Sequence, residues 1–322
     1  MPQNDLPYDQ LIDYKPELTK EPDFQLFWDK LKLESSQKPL QAKLTEMQYP
    51  YKDIKIYRIQ YAGLDNTPIQ GWYLVPKRAS SVEPLPVMVR YHGYTGVDRG
   101  YPHQFMYWCA LGIAVLSIDI RGQAGETPDY VVYADGNVPG WMTKGILNPQ
   151  TYYYKQVFID CLRAIDFVAE RPEIDASRIA VYGESQGGGL ALAAAALDAR
   201  PKIVLSIFPF LSHFKRSMEL QIESPYKEIF QWFMHFDPAR SKEAQIHRTL
   251  SYFDAMNMAS LVTARTFLGI TLQDTCCAPS ASFAAYNHIC GEKQLEVYPD
   301  YGHVGGIPRF QESMMQFIDT YL

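Results

Sequence analysis

From Pro86 onward the chain alternates short β-branched runs with longer stretches of helical character, and that rhythm leaves few folds open. The runs "PVMVRYHGY", "IAVLSIDIRG", "RIAVYGES", "IVLSIFPFL", "RTFLGITLQD" and "QLEVYPDYGH" read as strands. Between them, "PHQFMYWCALG", "TYYYKQVFIDCLRAIDFVAERP" and "GGGLALAAAALDA" read as helices. Strands that are apolar along both faces need cover above and below, and helical crossovers between parallel strands are right-handed. The expectation is an α/β fold: a doubly wound, mostly parallel sheet with helices on both sides.

Ahead of that region, "DIKIYRIQYAGLDNTPIQGWYLVPK" alternates apolar and polar residues about a turn at Leu64, Asp65 and Asn66, so an antiparallel hairpin should form the amino-terminal edge of the sheet. An amphipathic helix is expected around residues 24–32, within an amino-terminal helical extension of about residues 1–40. Residues 212–261 break the rhythm with aromatic and charged helical sequence between two strands. They read as an insertion over the carboxyl edge of the sheet, where ligands bind in such folds. Its aromatics Tyr226, Phe230 and Trp232 either line a pocket or, as the default, pack in the core. The whole of 1–322 reads as one domain carrying these two additions.

Composition removes several classes of function. A net charge of −6 gives no basic face for nucleic acid. The first residues lack a charged start followed by an apolar stretch, so a cytoplasmic location is expected, with no membrane contact. The 5 cysteines, Cys109, Cys161, Cys276, Cys277 and Cys290, have no C-x-x-C spacing, and histidines are not clustered near them. They read as reduced and mostly buried, the Cys276–Cys277 pair included, since nothing nearby in sequence would lower a thiol pKa. No phosphate loop, dinucleotide fingerprint or metal-ligand spacing is present, and no cofactor is implied.

"GESQGGG" (183–189) falls between a strand and a helix, which is the context of a nucleophile elbow. There Ser185 projects Oγ above the sheet, and the following N–H, that of Gln186, points toward a developing oxyanion. On this fold the partners follow in the order Ser, acid, His. Asp274 ends one strand and His303 follows another, so both fall at the carboxyl edge with Ser185. In that arrangement His303 is the base, and Asp274 fixes its tautomer. "YHGYTG" (91–96) should supply the second oxyanion donor through the backbone N–H of Tyr94. His92 and His103 precede the serine, while His213, His235, His247 and His288 read as surface or packing residues. Asp300 reads as a local turn residue and Arg121 as a buried cation paired with a carboxylate.

Taken together, "DFQLFW", "YHGYTG", "DIRGQ", "GESQGGGLALAAAAL", "PFL", "PYKEI", "LSYFDAMN", "ITLQDTCCAPSASFAAYNHI" and "YGHVGG" resemble a family of α/β-hydrolases along nearly the whole chain. That family is the acetyl xylan esterases and cephalosporin-C deacetylases of carbohydrate esterase family seven. The resemblance implies a metal-independent, cytoplasmic serine esterase that removes acetyl groups from xylo-oligosaccharides and often from cephalosporin C. It also implies a homo-oligomer, a hexamer built as a dimer of trimers. By residue matching it implies the triad Ser185, Asp274 and His303 and the oxyanion donors Tyr94 and Gln186. The chain departs from the family pattern in having Glu184 before the serine, Val304 after the histidine, and "CCAP" in place of "CPP". Two alternatives remain: a peptidase of the prolyl oligopeptidase type, whose usual screening domain 322 residues leave no space for, and a catalytically dead hydrolase fold acting as a binding protein.

Overall fold

The computed structural model describes residues 5–220, 225–304 and 308–322. Its frame is one nine-stranded sheet. The strands are β1 (Lys43–Met47), β2 (Ile54–Ala62), β3 (Pro68–Pro76), β4 (Leu85–Tyr91), β5 (Ala114–Ile118), β6 (Ile174–Glu184), β7 (Pro201–Ile207), β8 (Arg265–Thr271) and β9 (Lys293–Tyr298). They lie in the order β1-β2-β3-β5-β4-β6-β7-β8-β9. The first three run antiparallel to their neighbours, and every pair from β5 to β9 is parallel. This is the α/β-hydrolase arrangement, with the expected hairpin at its edge. The hairpin turn lies between Ala62 and Pro68, which face each other in register.

The helices are α1 (Tyr8–Ile12), α2 (Phe24–Ser36), α3 (Met106–Ala110), α4 (Tyr153–Ala169), α5 (Gln186–Leu197), α6 (Phe214–Glu219), α7 (Lys227–Phe236), α8 (Glu243–Ser251), α9 (Ala255–Ala259), α10 (Pro279–His288) and α11 (Pro308–Tyr321). Phe267 and Gly269 of β8 face α11, where Phe317 and Phe310 meet them. Leu268 and Ile270 alternate with these residues and are equally buried, facing the other helical layer. In that layer α5 is apolar all round and every residue but Ala196 is buried, because it is enclosed by β6, β7, α4 and α9.

Helix α2 buries Phe24, Phe27, Trp28, Leu31 and Ser35 at helical spacing and runs four residues past the expected end at Lys32. Its last turn and the segment after it are tied down from a distance: buried Arg163 of α4 donates to Ser35 O at 2.9 Å and to Pro39 O at 2.9 Å. Between β7 and β8 the chain forms α6 to α9, helical as the composition of 212–261 suggests. Strand β1 and helix α11 have no counterpart in the sequence reading. Among the described residues no helix is long and apolar enough to cross a membrane.

Candidate active site

The turn from β6 into α5 is tight for a reason that can be read atom by atom. A Cβ on Gly183 would lie 2.2 Å from the carbonyl carbon of Gly187, and one on Gly187 would lie 2.1 Å from Tyr91 O. Only glycine fits at either position. Between them Ser185 sits at φ 55 and ψ −121, a backbone region that L-residues rarely adopt. Tertiary contacts hold that strain: Ser185 N–H donates to Ile207 O at 3.0 Å, and Ser185 O accepts from Phe210 N–H at 2.9 Å.

Strained in this way, Ser185 Oγ lies 3.1 Å from His303 Nε2. On the other side of the ring, Nδ1–H donates to Asp274 Oδ2 at 2.8 Å. The second oxygen of Asp274 accepts the backbone N–H groups of Cys276 and Cys277, both at 2.7 Å, so the carboxylate is fixed by its own loop. Asp274 is 1% exposed. Burial acts to lower the His303 pKa, but the hydrogen bond to Asp274 and the neighbouring Cys276 sulfur outweigh it and raise the value. This environment favours the imidazolium that proton abstraction would generate. Asp300, by contrast, is exposed and accepts no hydrogen bond among the described residues.

Tyr94 and Gln186 flank the same space. Among the described residues neither backbone N–H donates within the protein, although both stand at the first residue of a helical turn. Several side chains tether the Tyr94 loop. Gly93 N–H donates to both oxygens of Asp98, at 2.9 and 3.0 Å. The Tyr94 hydroxyl donates to Glu228 Oε1 of α7 at 2.6 Å and accepts Trp141 N–H at 2.8 Å. Buried His92 accepts Ile120 N–H at Nε2, 2.8 Å, and so is structural. Beneath the loop the buried amide of Gln186 exchanges hydrogen bonds with Gln123 at 2.9 and 3.0 Å and accepts from Tyr154 Oη at 2.8 Å. The "RGQ" and "SQGGG" segments therefore meet through their glutamines. Sequence reading missed Glu228, Trp141 and the Gln123–Gln186 pair, none of which carries a local signal.

Arg121 is fully buried and paired on both sides, with Nε 2.6 Å from Asp160 and Nη1 2.8 Å from Asp65. It is a structural cation joining α4 to the β2–β3 turn, with no contact to the serine. Of the insertion aromatics, Tyr226 and Trp232 are buried in the core, and Phe230 lines a separate cleft beside Arg240.

The cavity over Ser185 measures about 310 Å³ and is walled by Tyr94, Glu184, Phe208, Phe210, Cys276 and His303. Three larger clefts, about 700 Å³ near His247, about 630 Å³ near Arg163 and about 500 Å³ near Tyr8, contain none of Ser185, Asp274 and His303. The chemistry points to the smaller one. One sequence expectation is overturned here. Cys276 and Cys277 have a histidine next to them after all, because the fold brings His303 against them: their sulfurs and a His303 nitrogen lie within 4.8 Å of one another. A hydrogen bond with Cys277, and then His303, hold the Cys276 thiol below its ordinary range, whereas burial pushes that of Cys277 up. Cys276 is partly exposed and Cys290 exposed, and none of the five thiols is in a disulfide.

The sequence model of the acetyl xylan esterase family matches residues 1–321. The chain belongs to the acetyl xylan esterase family. Its members are carboxylic ester hydrolases, and the resemblance carried by the motifs holds. An acetyl xylan esterase from Paenibacillus sp. is 58% identical and superposes with a TM-score of 0.96 over 98% of this chain and 100% of that one. Acetyl xylan esterase 1 from Thermoanaerobacterium sp. is 30% identical, with a TM-score of 0.93 over 99% of this chain and 100% of that one. Acetyl esterase Axe7A of Xylanibacter ruminicola is 26% identical over 298 residues, 89% of this chain; the match spans 66% of that relative's length. The acetyl xylan esterase fold is thus shared along almost the entire sequence.

Proposed function

We propose that this protein is a serine esterase that removes acetyl groups from small acetylated carbohydrates, xylo-oligosaccharides above all, and from cephalosporin C. The observation that carries this reading is the unbroken line Ser185 Oγ, His303, Asp274, with gaps of 3.1 and 2.8 Å. In this mechanism Ser185 Oγ attacks the acetyl carbonyl carbon while its proton passes to His303 Nε2. The oxyanion is met by the unspent N–H groups of Tyr94 and Gln186. Asp274 keeps Nδ1 protonated and stabilises the imidazolium. His303 then returns the proton to the sugar oxygen, which leaves as an alcohol. Water, deprotonated by the same imidazole, releases acetate from the acyl-serine.

The family relationship supports the further parts of the proposal: a single catalytic domain with additions at about 1–40 and 212–261, assembled as a hexamer and working in the cytoplasm without a metal. In the decisive experiment, Ser185→Ala is assayed against p-nitrophenyl acetate, acetylated xylobiose and cephalosporin C. The substitution should lower turnover by ~10⁴-fold or more and leave circular dichroism unchanged. Full activity in that variant would reject the mechanism, and failure of a fluorophosphonate to label Ser185 in folded wild-type protein would favour a binding role.

A further inference from the structure

The cysteine pair beside the imidazole has no part in the mechanism above, and its placement suggests one outside it. We propose that Cys276, Cys277 and His303 form an inhibitory binding site for a thiophilic d¹⁰ divalent cation, Zn²⁺ or Cd²⁺, superimposed on the catalytic base.

The argument starts from donor chemistry. Two sulfurs and an imidazole nitrogen, all within 4.8 Å of one another, are the donor set that zinc and cadmium select over magnesium or calcium. Around a tetrahedral ion with bonds of about 2.0–2.3 Å, ligand atoms stand roughly 3.5–3.8 Å apart. Ligation therefore requires the donor atoms to draw together from a separation of up to 4.8 Å. Ser185 Oγ, 3.9 Å from Cys277 Sγ and 3.1 Å from His303 Nε2, is placed to complete the fourth position.

The imidazole is prepared for such an ion. His303 donates Nδ1–H to Asp274, which leaves the Nε2 lone pair directed toward Ser185. A carboxylate behind a histidine is also the arrangement that orients imidazoles on zinc. Binding leaves the charge of the site as it was, since the two thiolates that form neutralise the divalent cation and only the Asp274 carboxylate behind His303 remains. The ion needs no new entrance, because Cys276 and His303 already line the substrate cavity. The hydrogen bond with Cys277 and the adjacent His303 favour the Cys276 thiolate that ligation requires.

Occupancy has one chemical consequence. An ion on Nε2 takes the lone pair that would accept the serine proton, and it also covers Ser185 Oγ. Hydrolysis then stops until a chelator removes the metal. This arm of the inference rests on His303 being the base; the binding arm does not.

The test uses the intact protein with a non-thiol reductant. Titration with Cd²⁺ should produce an ultraviolet thiolate-to-metal charge-transfer band at one ion per chain. Zn²⁺ should inhibit p-nitrophenyl acetate hydrolysis reversibly, with EDTA restoring the rate. In Cys276→Val, judged against its own metal-free rate, the inhibiting Zn²⁺ concentration should rise at least tenfold and the Cd²⁺ band should weaken. Ser185→Ala should retain the band although it is inactive, which separates failure of the metal site from failure of the esterase mechanism. No band in the wild type, or a band and an inhibition constant unchanged by Cys276→Val, overturns the proposal. Cys277→Ala repeats the test at the buried ligand, and Cys276→Val decides the matter if that variant does not fold.

Discussion

Glu228 reaches from helix α7 to the Tyr94 hydroxyl at 2.6 Å, across 134 positions of sequence, and its other oxygen accepts Met142 N–H at 3.0 Å. Helix α7 therefore holds the loop whose N–H is proposed to meet the oxyanion. Burial raises the Glu228 pKa against the pull of these hydrogen bonds, so the group depends on its partners. Glu228→Gln and Tyr94→Phe should each lower kcat about tenfold with KM little changed. The double variant should cost little more than either single one, since both break one network. Additive losses in a double-mutant cycle would show that the two act separately.

Arg121 anchors two carboxylates from inside the protein. Replacing it with Met leaves Asp160 buried without its counter-charge, which costs about 3–5 kcal/mol. Urea denaturation of Arg121→Met should show that loss as a lower midpoint. Because Arg121 does not touch Ser185, turnover of the fraction still folded should remain near that of the wild type.

The same network sets an acid limit. Burial tends to raise the Asp65 pKa, but its hydrogen bonds to Arg121 prevail and bring it down to about 2. Its folded pKa thus lies below its unfolded one. The stabilisation is complete above the ordinary carboxylate pKa of about 4 and is lost as pH falls toward 2. Asp160, wholly buried, is pushed up to about 6 by desolvation despite Arg121, and acts with the opposite sign. The difference between wild type and Asp65→Asn isolates the first effect: the variant should be less stable at neutral pH and lose less between pH 4 and 2. Parallel stability curves for the two proteins would refute this.

Gln186 contributes a side chain as well as an N–H. Its amide bonds Gln123 and Tyr154 in a buried space, so Gln186→Leu leaves the Gln123 carbonyl and the Tyr154 hydroxyl without these partners, at about 1–3 kcal/mol. It should also slow fluorophosphonate labelling of Ser185, because the Gly93 carbonyl, 3.3 Å from that amide, loses a donor. Unchanged labelling kinetics would confine Gln186 to a backbone role.

The elbow was legible because its signal is local: a strand, a turn of small residues and a helix lie consecutively between Arg178 and Leu197. The hairpin and the parallel strands were legible for the same reason, through apolar alternation and apolar runs. Strand β1 was not, since "KLTEM" is mostly exposed and its pairing with β2 supplies most of what orders it. The proximity of His303 to Cys276 was invisible for a different reason. It arises when the loops after β8 and β9 converge on one sheet edge, and no window of sequence contains both. Glu228 and the Gln123–Gln186 pair escaped in the same way.

The two amide hydrogens that steady Asp274 come from the main chain of the cysteines, not from their side groups. Any residue other than proline, which lacks the N–H, can therefore stand at 276 and 277 without removing these bonds to the acid, provided that it fits. This makes the wall next to the imidazole a natural place for relatives to diverge, and a place where a designer can alter what the catalytic pocket admits while its proton relay stays as it is.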